Sequence, residues 1–209
     1  MEELTLAIGD IIVGIDIGTS KVSTFVGEVN NFNQIEIICS TSCKNQAIKK
    51  GKIVNEDELS DAIARTINEV EDISNLQVNS AYTTIPGKYI TIVQNSIVKD
   101  AKDKFAGISV KDVASAIIQV RDIEIPEDKV LIDVVPDKFI LEDGKAVDDP
   151  VGKFSSNFTL TAQIILAEKE YVKQITSVFK QFSFWNNSFS TSNTRKYNFL
   201  LSIYSFSLK

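Results

Sequence analysis

A mixed α/β (α+β) fold, with a smaller α+β unit inserted into it, is the fold class this sequence predicts. Three observations carry that expectation. The N-terminal part runs strand, strand, strand, helix, strand, an order that builds a mixed sheet with a packed helix and not a doubly wound parallel sheet. The middle part repeats that logic on a smaller scale. A segment that alternates again and then turns helical follows. The chain has 209 residues, 44% of them hydrophobic and 24% charged, ordinary values for a globular protein long enough to bury a core.

Each element has its own signal. Ile11 to Ile17 is an apolar run with Asp16 near its end, and a turn follows at Gly18-Thr19-Ser20. Val22 to Val29 is rich in β-branched residues, so the two runs predict a hairpin. Ile35 to Thr41 is a third strand after the polar pair Asn30-Asn31. Residues 55 to 72 place Leu59, Ile63, Ile67 and Val70 at helical spacing, with Asn55 as cap and Glu58 three residues on. Ser80 to Ile85 is a strand ended by Pro86-Gly87.

The inserted unit is expected over residues 87 to 158. Tyr89 to Val98 is a strand. Ser109 caps a helix with Asp112 at N3 and a stripe of Val113, Ala116, Ile117 and Val120. Lys129 to Leu141 is a strand that Pro136 makes bulged or peripheral. Asp143-Gly144 and Asp149-Pro150-Val151-Gly152 are turns. Leu160 to Leu166 is expected to return to the first sheet, and Glu168 to about Gln181 to form a helix with Val172, Ile175, Val178 and Phe179 on one side.

The site signal is Gly14-Ile15-Asp16-Ile17-Gly18-Thr19-Ser20-Lys21-Val22. A carboxylate at the end of an apolar strand is costly to bury without a partner, and a metal ion, its water shell or a lysine would supply one. Gly18 allows a tight turn and a close approach to a ligand. The amides of Gly18, Thr19 and Ser20 would then converge into a nest for phosphate, with two hydroxyls and the Lys21 ammonium beside it. The spacing is neither that of a P-loop nor that of a GxGxxG fingerprint. By itself it reads equally as a hairpin turn with a capping Asp.

Composition removes several classes of function. There is no histidine, hence neither the commonest general base nor the commonest metal ligand. Cys39 and Cys43 lack the further ligands of a zinc set and read as reduced thiols. A net charge of -6 with no basic patch argues against nucleic acid. Met1 to Asp10 is no signal peptide, and no apolar run approaches the ~20 residues of a membrane helix. A cytoplasmic protein with no direct membrane anchor in this chain is therefore expected. Glu56-Asp57-Glu58 begin a helix, where negative charge suits the dipole, and Asp148-Asp149 lie in a turn. No pair of acids is placed for acid/base work, so no catalytic residue is named.

The hairpin "GIDIGTSKV", followed by a strand ending in "VGEV", resembles the first phosphate hairpin of the actin, Hsp70 and sugar-kinase superfamily. The stretches "KKGKIVNEDELSDAI", "IPGKYITIVQNS" and "EIPEDKVLIDVVPDKFILEDGKAVDDPVGK" are similar to successive segments of the FtsA family. The resemblance covers roughly residues 11 to 181, the N-terminal part of that family.

It implies an actin-like, ribonuclease-H-like subdomain 1A over residues 11–86 and 159–181, with an SHS2-type subdomain 1C over 87–158. It also implies a cell division scaffold of the divisome and Z ring. Such a protein binds ATP with Mg, polymerises, and tethers FtsZ at the cytoplasmic face of the membrane at the septum. Other FtsA molecules and later division proteins would be met through 1C. By position, Asp16 would face the magnesium through water, and Gly18, Thr19, Ser20 and Lys21 would cradle the phosphates. A pilus-assembly relative is the alternative. A sugar-kinase-type enzyme is disfavoured, because its catalytic Asp and substrate loops are not found.

Two departures qualify the resemblance. After "DPVGK" the chain reads Phe154-Ser155-Ser156-Asn157-Phe158 where the family has a Ser-Gly-Val-Arg-like run. Ser183 to Lys209 holds no acid, while residues 1 to 182 carry about -9. Residues 182–209 thus read as an aberrant, disordered tail on a truncated chain lacking the second lobe, the FtsZ-tail site and the membrane helix. Weak or no ATP binding and no hydrolysis are expected of it.

Overall fold

The computed structural model describes residues 7–102 and 106–182, and the backbone of 199–201. Two compact units are formed, one by Tyr89–Lys169 and the other by the segments before and after it.

In the flanking unit, β1 (Ile11–Ile17) and β2 (Lys21–Val29) make the expected hairpin, with Ile17 opposite Val22. β3 (Ile35–Lys44) lies antiparallel to β2. A two-residue hairpin, β4 (Ile48–Lys49) and β5 (Lys52–Ile53), follows. Its turn puts both Lys50 and Gly51 at positive φ, 50° and 73°, as the tightest hairpin turns require. Sequence periodicity cannot reveal strands so short.

The helix α1 (Glu56–Ser74) begins at Asn55, whose side chain accepts from the Glu58 amide, and ends on Asn75 in the left-handed region. Leu59, Ile63, Ile67 and Val70 are all buried, as their spacing predicts. α1 packs on β2 and β3, and polar groups lock the contact. Thr24 and Thr66 hydroxyls bond at 2.7 Å, and Thr41 donates to the Thr66 carbonyl at 3.0 Å.

β6 (Ala81–Thr83) runs parallel to β1, and the Thr83 hydroxyl donates to the Ile15 carbonyl at 2.9 Å. The sheet is thus mixed, as the element order predicts.

In the other unit, β7 (Ile90–Asp100), α2 (Val110–Val120), β8 (Lys129–Leu141), β9 (Ala146–Val147) and β10 (Asn157–Glu168) form a helix on an antiparallel sheet of order β7-β10-β8-β9. Ser109 and Asp112 make a full capping box at the start of α2. Ala116 and Val120 are buried, with Val113 and Ile117 packed partly against the same core. Pro136 sits at a bulge, where the register on β10 jumps past Asp137.

One expectation is corrected here. Leu160 to Leu166 does not rejoin the first sheet: it lies within β10, bonded to β7 on one side and β8 on the other. The expected boundary at residue 158 therefore falls inside a strand. Alternation shows that a strand has one buried face but not which sheet it joins. The decision is made by packing, since Phe158, Leu160, Ala162, Ile164 and Leu166 share a face and lie in one core with Val134, Phe139, Ala116 and Val120.

α3 (Lys169–Phe179) follows at once, burying Tyr171, Ile175, Val178 and Phe179. Most of the expected tail, 182–209, lies outside the described residues. The backbone of Phe199–Leu201 forms β11, parallel to β6, giving the order β11-β6-β1-β2-β3.

Ile164 has no exposed surface, so Ile164→Ala removes buried methyls and leaves a cavity in the core. A loss of about 2–5 kcal/mol is expected in urea unfolding.

Candidate functional site

The candidate site begins with the turn between β1 and β2. Thr19 and Ser20 form a two-residue loop, closed by the Gly18 amide donating to the Lys21 carbonyl at 2.9 Å. Gly18 is not at positive φ. Its need for glycine is steric, because a Cβ there would lie 3.0 Å from the Lys21 carbonyl oxygen. The closure also occupies the Gly18 amide, one of the three expected to cradle phosphate. The side chains of Thr19, Ser20 and Lys21 stand exposed.

Sequence reasoning missed the residue that holds this turn. Asn45, just after β3, is buried. Its side-chain amide donates to the Gly18 carbonyl at 2.8 Å, and its backbone amide donates to the Ser20 carbonyl at 3.0 Å. Its side-chain oxygen accepts from the Ala47 amide at 3.0 Å. The Gly18 and Ser20 carbonyls are thereby fixed by one residue. The only clue in the sequence is a polar residue closing a strand, a signal shared by many loops.

Asp16 is exposed and lies across from Ser23. Val13, Ile15 and Ile17 are buried on the α1 side of the sheet, and Ile15 is paired with Thr24, which bonds α1. The alternating residues Gly14 and Asp16 therefore face the other way, as do Ser23 and Phe25. The Ser23 hydroxyl is buried with no hydrogen-bond partner among the described residues, which leaves a donor beside the Asp16 position.

A groove of about 220 Å³ opens on that face, lined by Gly14, Asp16, Phe25, Tyr82 and Thr84 among others. A Cβ on Gly14 would meet nothing within 4 Å, so the absent side chain leaves open space in the groove. Burial, and then the nearby Asp10 carboxylate, push the Tyr82 phenol above its ordinary value.

No cluster of three metal-ligating side chains occurs among the described residues. Asp16 stands as a single carboxylate, a donor set that fits a hydrated ion held through water rather than one bound directly. The arrangement can present hydroxyls and one ammonium to an anion at the turn, with a carboxylate and a groove beside it. It assembles no nucleophile and base.

Cys39 and Cys43 are free thiols. They face α1, with Cys43 donating to the Ala62 carbonyl at 3.2 Å. Burial is the main reason the Cys43 thiol is pushed above its ordinary value, the opposite of what a reactive thiol needs. No helix among the described residues is long and apolar enough to cross a membrane.

Comparison with known proteins bears on this geometry. Residues 87–166 match the family described as "SHS2 domain inserted in FTSA". The chain is 28% identical to the cell division protein FtsA of Buchnera aphidicola over 167 residues, which is 79% of this chain and 39% of that protein. It is 30% identical to FtsA of Borreliella burgdorferi over 142 residues, 68% of this chain and 34% of that one. The chain thus spans little more than a third of the length of these relatives. A solved PilM-PilN type IV pilus biogenesis complex matches 82% of this chain and 44% of its own, with a TM-score of 0.51 and 14% identity, a likeness of fold alone.

Removing the Asn45 side chain leaves the Ala47 amide and the Gly18 carbonyl without these partners. Asn45→Ala is expected to destabilise the fold by about 1–3 kcal/mol in urea unfolding. Asn45→Asp, which buries a charge and turns a carboxylate oxygen toward the Gly18 carbonyl in place of a donor, is expected to cost at least as much as Asn45→Ala.

Proposed function

This chain resembles the N-terminal part of the cell division protein FtsA and carries its SHS2 domain at residues 87–166, and on that footing we propose that it is a division scaffold and not an enzyme. The single observation behind this reading is the SHS2 match, set inside a longer likeness to FtsA that extends over both units. In this reading the flanking unit is the actin-like subdomain 1A and the Tyr89–Lys169 unit is subdomain 1C.

The partners that follow are other FtsA-like chains and division proteins, met through 1C. FtsZ and the cytoplasmic face of the membrane at the septum belong to this reading only for the full-length family. ATP with Mg is the nucleotide it assigns. Thr19, Ser20 and Lys21 would face the phosphates, Gly18 would set the turn, and Asp16 would hold the hydrated magnesium. The exposed turn, its anchorage on Asn45 and the open groove beside Asp16 support that assignment. Nucleotide here is a structural ligand, because nothing at the hairpin activates a water.

A pilus-assembly scaffold is the second reading, supported by the shared fold. The sequence likeness to FtsA favours the first.

Fused to a fluorescent protein in a dividing rod-shaped bacterium, the chain is expected to gather in a septal band that disappears when Tyr89–Lys169 is replaced by a short linker. Uniform fluorescence of the intact fusion would contradict the division reading.

A single turn holding ATP from one side gives weak binding. Ligand stabilisation grows only as the logarithm of concentration over Kd, so about 1 mM Mg-ATP should leave the melting temperature unchanged. A clear rise would show that the hairpin unit binds nucleotide tightly by itself.

A further inference from the structure

We propose that the outer edge of β7 is a self-complementary surface through which two copies of this chain pair edge to edge, antiparallel. The proposal rests on the self-association assigned above to the Tyr89–Lys169 unit, and it adds the strand and the register.

β7 is the terminal strand of its sheet. It is 11 residues long, and its register on β10 runs without a shift from Ile90 opposite Ala167 to Asp100 opposite Asn157. Exposed edges are commonly blunted by brevity, proline, a bulge or a central charge. β7 has none of these, and its two charges, Lys99 and Asp100, stand at one end.

Its two faces are distinct. Val93 and Ile97 pack against the core beneath α2, and the Asn95 side chain donates to the Val120 carbonyl at 3.0 Å. Ile92, Gln94, Ser96 and Val98 therefore share the opposite face. There Ile92 is 57% and Val98 67% exposed.

The sequence of this edge matches itself when reversed. Antiparallel neighbours related by a two-fold axis perpendicular to the sheet pair residues that lie on the same face. With the axis at Asn95, Ile92 stands opposite Val98 of the second copy, and Val98 opposite its Ile92. Val93 meets Ile97, and Gln94 meets Ser96. Sliding by two residues puts Ile92 opposite Asp100 one way; the other way it puts Ile92 opposite Ser96 and Val93 opposite Asn95, keeping only Ile90 against Val98, so only the Asn95 register pairs apolar residues on both faces. Direct cross-strand pairs of apolar side chains are the contacts that stabilise sheets. Such a contact is isologous and closes at two copies. It joins two four-stranded sheets into one of eight strands, with both α2 helices on the same side.

The test uses the full chain in sedimentation equilibrium over a concentration series, with the variants I92E and V98K. Both positions are exposed, and circular dichroism checks that each variant folds. The wild type is expected to dimerise, and each variant alone to dimerise at least tenfold more weakly. An equimolar mixture should recover most of the lost affinity, because the new carboxylate of one copy faces the new ammonium of the other.

A wild type that stays monomeric overturns both this proposal and the self-association reading beneath it. A wild-type dimer that neither substitution weakens, or a mixture no tighter than its components, overturns the β7 pairing and leaves that reading standing.

Discussion

The pairing of β10 on both of its edges is the constraint on which the Tyr89–Lys169 unit depends. The strand is bonded to β7 over eleven registered pairs, from Ala167 to Asn157, and to β8 from Glu168 to Phe158. Phe158, Leu160, Ala162, Ile164 and Leu166 fall at every second position on one face, so a slip by one would turn all five away from the core they share. The segment leading into β10 is fixed accordingly. The Val151 amide donates to the Asp149 carboxylate at 2.9 Å, and Gly152 takes a φ of 76°. The turn then docks on the start of α2, with Gly152 donating to the Ile108 carbonyl at 2.8 Å and Ile108 to the Lys153 carbonyl at 2.9 Å. A Cβ at Gly107 would lie 3.1 Å from that same Lys153 oxygen. The run Asp149-Pro150-Val151-Gly152 is thus a device for setting the register of a central strand.

The hairpin of the flanking unit follows a different logic. Its turn is short, exposed and polar, and an exposed turn holds its shape only if something outside it accepts or donates on its behalf. Asn45 does so from the end of β3, where β2 and β3 already lie in register. The side chains that could meet a phosphate are free to face outward because the backbone carbonyls behind them are occupied. Asp16 and the groove lie on the sheet face away from α1, which places a carboxylate and open space beside the turn.

Most of the elements were legible in the sequence because each had a local cause. α1 and α2 were marked by a cap and a 3.6-residue stripe, and β8 by an apolar run whose proline produced the bulge expected of it. The mixed sheet followed from element order. Partnership is what escaped. β10 was recognisable as a strand, yet its sheet was decided by long-range packing. β4 and β5 are too short to show a period. At the site, the motif gave the turn and Asp16, but it credited the Gly18 amide to a ligand when the hairpin itself uses it. Asn45 was invisible because its role depends on a fold that brings the end of β3 beneath the first turn.

β10 belongs to the Tyr89–Lys169 unit and closes its sheet, so that unit is expected to unfold as one cooperative body. Native-state hydrogen exchange read by mass spectrometry tests this most directly. If β10 closes that unit, the amides of 157–168 share their protection with 90–100 and 129–141, and all three are lost together as denaturant is raised. Protection of 157–168 that instead followed the β1–β2 hairpin would place the strand in the first sheet and contradict the account.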